Sequence, residues 1–176
     1  GSEYENPNNN KFEFNPAKAV ELLKEAGYVN RNDRGFLVHK DTKKELSFTI
    51  EVMKPVEYRV TPMQQILKEY GIDMQIKFVD STTRWKNLMD RNFTVDFQGW
   101  GGLVYPNPET SFKSSLADQK NNNNVSGLKS ERIDALLPLY DTEFDHARRV
   151  EIIQEIDGIV SDIHPSAWGL SREPPA

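Results

Sequence analysis

Hydrophobic positions change their period several times along this chain, and each change marks an element. Ala19, Val20, Leu23 and Ala26 recur at helical spacing, so they line one face of a helix. Asn15-Pro16 starts it: asparagine caps free N–H groups, and proline at the first helical position lacks only a donor that would go unused. Gly27 ends it. Asn30 to Gly35 is rich in turn formers and leads to a short strand around Phe36, Leu37 and Val38, with Asp41 to Lys44 as a hairpin tip. Leu46, Phe48, Ile50 and Val52 then alternate with polar neighbours, the pattern of a half-buried strand that Pro55 closes.

Met63, Ile66, Leu67 and Tyr70 return to helical spacing, predicting a helix that starts at Thr61-Pro62 and stops at Gly71. Ile72, Met74, Ile76 and Phe78 alternate again. Ser81 is placed to cap a further helix that carries Trp85, Leu88 and Met89 inward. Val95, Phe97 and Gly99 form another strand, running into Trp100-Gly101-Gly102. Between 46 and 99 the order is strand, helix, strand, helix, strand. Two consecutive strand-helix-strand units predict parallel neighbours joined by right-handed crossovers, an α/β core with helices flanking the sheet.

Leu103 to Gly127 is polar and irregular, with an asparagine run from Asn121 to Asn124. Two helices follow. The first presents Ile133, Leu136, Leu137 and Tyr140, and Pro138 is expected to kink or end it. The second starts near Asp145 and is expected to bury Ala147, Val150, Ile153, Ile156, Val160 and Ile163 before His164-Pro165 stops it. Ala167 to Leu170 reads as an extended segment leading out. The chain has no internal repeat.

Composition narrows the classes. The 176 residues suit one domain of ordinary size, and a mean hydropathy of −0.67 is polar but foldable. Cysteine is absent, which excludes disulfide scaffolds, thiol catalysis and cysteine-ligated zinc. A net charge of −5 argues against a nucleic-acid partner. No apolar run approaches the roughly 20 residues of a membrane span. Gly1-Ser2, with no initiator methionine, resembles the scar of a cleaved tag, and the close at Arg172 to Ala176 follows an apolar segment without a terminal element. An excised piece of a larger protein is therefore expected.

Catalytic and cofactor chemistry finds no motif. His39, His146 and His164 are far apart and lack ligand spacing for a metal. Gly99-Trp100-Gly101-Gly102 lacks the G-x-G-x-x-G pattern, and Ser111, Ser114 and Ser115 sit in no nucleophile elbow. Asp80, Asp90 and Asp96 can be imagined as acid/base partners, but Asp80 and Asp90 border predicted helices. No cofactor is implied, and the chain is read as not being an enzyme.

Three segments taken in order carry a resemblance. Asn15 to Tyr28, NPAKAVELLKEAGY, is the first. Ile66 to Met74, then Trp85, then Phe93 to Trp100, FTVDFQGW, is the second. The third opens with Tyr105-Pro106-Asn107-Pro108-Glu109, continues to Asn123 to Gly127, and passes through Ile133 to Leu137, Arg148-Arg149 and Ile163-His164-Pro165. Together they resemble the extracellular solute-binding proteins of peptide and oligopeptide ABC importers, family 5, over about residues 12–170. The resemblance implies one lobe of a two-lobed periplasmic-binding-protein fold of class II. Residues 1–11 are then a tag scar and flexible lead-in, 12–170 a single α/β lobe (the second), and 171–176 a truncated exit towards the other lobe. It also implies a monomeric parent in the periplasm or extracellular cell envelope that delivers a peptide or other small solute to an inner-membrane ABC permease.

Open α/β sheets bind ligands beyond the carboxyl ends of their strands. That edge receives Gln98, Trp100, Gly101 and Gly102, where glycines permit close backbone approach and an indole offers a wide apolar face with one donor. The resemblance points to the same place, around this tryptophan and the residue after it, and Tyr105, Asn107 and Asn124 are further candidate ligand-binding residues. Against this, a tryptophan after an apolar strand also serves as a core residue, Tyr105 and the asparagines also suit loop ordering, and Trp85 is assigned mainly to packing. Many peptide binders of the family carry an aspartate shortly after the tryptophan, facing the peptide's amino terminus. Here Leu103-Val104-Tyr105 fill that region and no acid precedes Glu109, so a blocked peptide or an oligosaccharide stays open beside a free peptide. A hydrolase would need two acids converging on a cleft. A protein-interaction or sensor module would show an exposed patch around Phe93, Tyr105 and Phe112.

Overall fold

The computed structural model describes residues 2–10, 14–97 and 106–163. These divide into two compact units, 14–97 and 2–10 with 106–163.

The first unit opens with α1 (Pro16–Glu25), built as its sequence predicts. Asn15 Oδ1 accepts a hydrogen bond from Lys18 N at 3.0 Å, and Gly27 follows the helix with φ +92°. Strands β1 (Tyr28–Arg31) and β2 (Leu37–His39) form a separate antiparallel pair. The sequence suggests β2 but only a turn at β1. The strand forms because Asn32 closes a turn, its Oδ1 accepting from Arg34 N and Phe36 N, each at 3.0 Å.

The order predicted for 46–99 is present: β3 (Ser47–Val52), α2 (Glu57–Glu69), β4 (Asp73–Phe78), α3 (Ser81–Met89) and β5 (Val95–Asp96). The sheet order is β4-β3-β5, with β3 parallel to both neighbours. Alternation along β3 divides its two faces. Ile50 and Val52, with Met74 of β4, form a buried core against Val60 and Leu67 of α2. Glu51 lies on the opposite face, where Asn87 of α3 reaches it. The connections run first to one side of β3 and then to the other, so two right-handed crossovers place α2 and α3 on opposite faces.

Three local expectations are corrected in this unit. Helix α2 does not start at Thr61-Pro62. It follows a 3-10 turn at Lys54–Val56 and carries Pro62 in its interior. Pro62 is exposed, so a backbone group it leaves unpaired is open to water. The earlier start turns Val60 inward and leaves Met63 and Ile66 46% and 43% exposed. Helix α3 is capped by Asp80, not Ser81: its carboxylate accepts from Thr83 N at 2.9 Å and Thr83 Oγ1 at 2.6 Å. Leu88 is buried, but Trp85 is 55% exposed, because Arg84, Asn87 and Leu88 occupy the inward stripe. The end of α2 agrees with the sequence, Gly71 adopting φ +83°.

The second unit is helical, with α4 (Glu109–Phe112), a 3-10 turn at Ser114–Leu116, α5 (Glu131–Thr142) and α6 (His146–Ile163). Its core joins Ile133, Leu136, Leu137 and Tyr140 to Ile153, Ile156 and Val160, each large side chain contributing about 1.5–3 kcal/mol by leaving water. Pro138 does not end α5, which continues to Thr142. Ala147 and Ile163 are exposed rather than buried, since the contact face of α6 is filled by the residues between them. The segment expected to be a flexible lead-in lies along α6. Asn6 N donates to Asp157 Oδ2 at 2.8 Å, Asn6 Nδ2 to Gln154 O at 2.9 Å, and Asn9 Nδ2 to Asp157 Oδ2 at 2.7 Å. The expected stop at His164-Pro165 and the extended segment after it fall outside the described residues.

Candidate functional site at the carboxyl edge of the sheet

Strands β3 and β5 lie side by side in a 2-1-3 order, the arrangement whose switch point receives ligands in doubly wound folds. Glu51 and Asp96 are register partners at this edge, and Glu51 is also the partner of Lys77 on β4. Charges therefore alternate across one sheet face, and each carboxylate is held by α3 or a neighbouring strand. Lys77 Nζ donates to Glu51 Oε1 at 2.7 Å and Asn87 Nδ2 to Glu51 Oε2 at 2.6 Å. Arg84 Nη2 donates to Asp96 Oδ2 at 2.7 Å and also to the Phe97 carbonyl.

These partners set the protonation of the two acids. The hydrogen bonds from Lys77 and then Asn87 hold the Glu51 carboxyl below its ordinary range. Burial pushes Asp96 the other way, above its ordinary range, despite the opposing charge of Arg84. The Arg84 and Asp96 side chains are only 14% and 8% exposed, so this ion pair forms largely out of water.

Of the sequence-predicted site residues, Gln98, Trp100, Gly101, Gly102 and Tyr105 lie outside the described residues. The described chain reaches Phe97, whose carbonyl is the last group held by Arg84 before that segment. Asn107 belongs to the helical unit, is exposed, and its carbonyl accepts from Thr110 Oγ1 at 3.2 Å. Asn124 is fully buried. Its Nδ2 donates to Leu128 O at 2.9 Å and Lys113 O at 3.2 Å, and its Oδ1 accepts from Leu128 N at 3.0 Å. That pattern organises the loop before α5.

Asp80 caps α3 and Asp90 follows its last turn, as the helix-border reading has it. Arg84, Asn87 and Lys77 were not singled out by the sequence. Their signal is a polar residue on the inward stripe of α3 and at odd positions of alternating strands, which becomes informative only with strand order known. Glu109 pairs with Lys113 one turn later at 2.5 Å. Among the described residues, no cluster of histidine and acids is arranged to hold a metal ion, and no helix is long and apolar enough to cross a membrane.

The fold is that of one part of a periplasmic binding protein. The profile of bacterial extracellular solute-binding proteins, family 5 (middle), matches residues 1–123, and the chain belongs to that family. It is 30% identical over 141 residues to the probable peptide-binding protein YejA of Agrobacterium fabrum, covering 77% of this chain and 23% of that protein. The oligopeptide-binding protein AppA of Bacillus subtilis, solved with a nonapeptide, superposes with a TM-score of 0.78 at 24% identity, over 90% of this chain and 32% of that one. A mannohexaose-bound periplasmic oligopeptide-binding protein of Thermotoga maritima gives 0.79 at 18% identity, over 93% and 32%. The chain thus spans about a quarter of the length of the first relative and a third of these structures.

Proposed function

We propose that this chain is the second, ligand-binding lobe of an ABC-importer solute-binding protein, capturing peptides or oligopeptides without chemical change by closing against another lobe. The observation that carries this is the parallel β4-β3-β5 sheet, whose last strand, β5 (Val95–Asp96), stands just before Gln98, Trp100, Gly101 and Gly102 in the sequence. Main-chain donors and acceptors of such a segment suit an extended peptide, and roomy wet pockets tolerate varied side chains. Ligand touching both lobes stabilises the closed form over the open one. The parent is a monomer of the periplasm or extracellular envelope that passes its solute to a membrane permease.

Family membership supports a binding protein rather than an enzyme, and the acids at the sheet edge support it too, being engaged by Lys77, Asn87 and Arg84. An interaction module draws little support: Phe93 is half-buried and Phe112 packs on the α5–α6 core.

One observation favours a second ligand class. With no acid between Trp100 and Glu109, and Glu109 paired to Lys113, nothing in this segment offsets the cost of burying a free ammonium. A blocked peptide or an oligosaccharide avoids that cost, and the Thermotoga maritima neighbour was solved with mannohexaose.

Isothermal titration separates these readings, using free and N-acetylated nonapeptide pools and mannohexaose against the full-length gene product and against this chain. Binding of peptide by the full-length protein and feeble binding by the chain are expected. Equal affinity for both would overturn capture by closure, and binding of mannohexaose alone would overturn the peptide assignment.

A further inference from the structure

Among the described residues, strand β5 pairs with β3 through Ile50 with Val95 and Glu51 with Asp96. Helix α3 restrains the end of this pair of strands. From successive turns on one side of α3, Arg84 reaches Asp96 and the Phe97 carbonyl, while Asn87 reaches Glu51 of β3. One helix thus holds the ends of both switch-point strands, and the held carbonyl is the last before Gln98.

We propose that Arg84, assisted by Asn87, is a positioning residue that sets the exit of β5 and through it the placement of the ligand-binding segment beginning at Gln98. This rests on the peptide-binding reading above for the identity of that segment. Stability alone is a weak reason for the pair, because a buried ion pair is commonly replaced by apolar residues without loss. What apolar residues cannot reproduce is a guanidinium that grips a side chain and the adjoining backbone carbonyl together. The raised carboxyl of Asp96, caused by its burial, agrees with a pair retained for geometry.

The test exploits that difference. Arg84→Met alone leaves Asp96 buried without its partner and is expected to lower stability, so the decisive variant is the double substitution Arg84→Met with Asp96→Leu. It is expected to recover wild-type thermal stability in the 176-residue chain. Amide exchange at residues 93–97 should nevertheless rise at least about tenfold while β3 and α2 keep their protection. In the full-length gene product, affinity for a nonapeptide pool should fall by a similar factor, with partial rescue in Arg84→Lys. A double variant with wild-type exchange at 93–97, or with faster exchange spread evenly over the chain, would overturn the positioning role. Localised exchange in a protein whose wild type binds no peptide would uphold the clamp and overturn the peptide reading instead.

Discussion

Glu51 and Asp96 face each other as register partners across β3 and β5, yet their surroundings drive the two carboxyls in opposite directions. Glu51 receives hydrogen bonds from Lys77 and Asn87 and is held ionised. Asp96, deeper in the same face, is pushed towards its neutral form by burial that outweighs Arg84. Adjacent positions on one sheet face thus differ because α3 and β4 reach the two acids unequally.

Opposite shifts give opposite pH dependences. A lowered pKa means that the Glu51 contribution is present above the ordinary glutamate value and is lost as pH falls through the folded value. A raised pKa means that ionised Asp96 costs stability at neutral pH, a cost relieved as pH falls through its folded value. Urea unfolding from pH 7 to about pH 3 should therefore fall less steeply in Glu51→Gln than in wild type, and more steeply in Asp96→Asn. Parallel profiles for the three proteins would contradict this assignment.

Asn124 offers a second discrimination. Its amide bonds Lys113 O, Leu128 O and Leu128 N inside the loop. Truncation would leave buried groups unpaired at about 1–3 kcal/mol each, so Asn124→Ala should lower stability by roughly 2–4 kcal/mol. Asn124→Asp should be no better, since an ionised carboxylate cannot donate to two carbonyls. Loss of ligand affinity in Asn124→Ala at unchanged melting temperature would instead assign Asn124 a direct part in ligand binding.

Gly158 lies in α6 beneath the amino-terminal segment, where an added Cβ would meet Asn6 Nδ2 at 2.5 Å. Alanine favours the helix by about 0.5–1 kcal/mol over glycine but displaces the Asn6 side chain. Gly158→Ala should keep or slightly raise the melting temperature while the Asn6 amide, held by Asp157 at 2.8 Å, exchanges faster. Unchanged protection at Asn6 would show that the segment docks without this close approach.

How much of this could be read beforehand follows from which interactions are local. The alternation of Phe48, Ile50 and Val52, the Asn15-Pro16 start and the Gly27 and Gly71 stops are set by neighbours in sequence, and each appears in the structure. Pro62 misplaced the start of α2 because a proline tolerated inside a helix looks the same in sequence as one that begins it. Trp85 looked inward because apolar spacing hid the charged stripe of Arg84 and Asn87, whose partners sit on strands whose order the sequence does not state. The lead-in asparagines resembled a disordered tract, yet Asn6 and Asn9 meet a single carboxylate, Asp157, some 150 positions away.

Two of the three tryptophans, Trp85 and Trp100, divide the last question between them. Trp85 is exposed on the outer side of α3, whereas Trp100 follows the sheet edge proposed to contact ligand. Trp85→Phe should leave peptide affinity of the full-length gene product unchanged within a factor of about two, a surface replacement that touches no held group. Trp100→Ala should weaken the same nonapeptide pool by about tenfold to a hundredfold, the effect of losing one aromatic anchor worth roughly 1.4–3 kcal/mol. Thermal unfolding of both variants completes the argument: if Trp100→Ala loses stability in proportion to affinity, Trp100 is a core residue, and the binding edge must be sought elsewhere along β3 and β5.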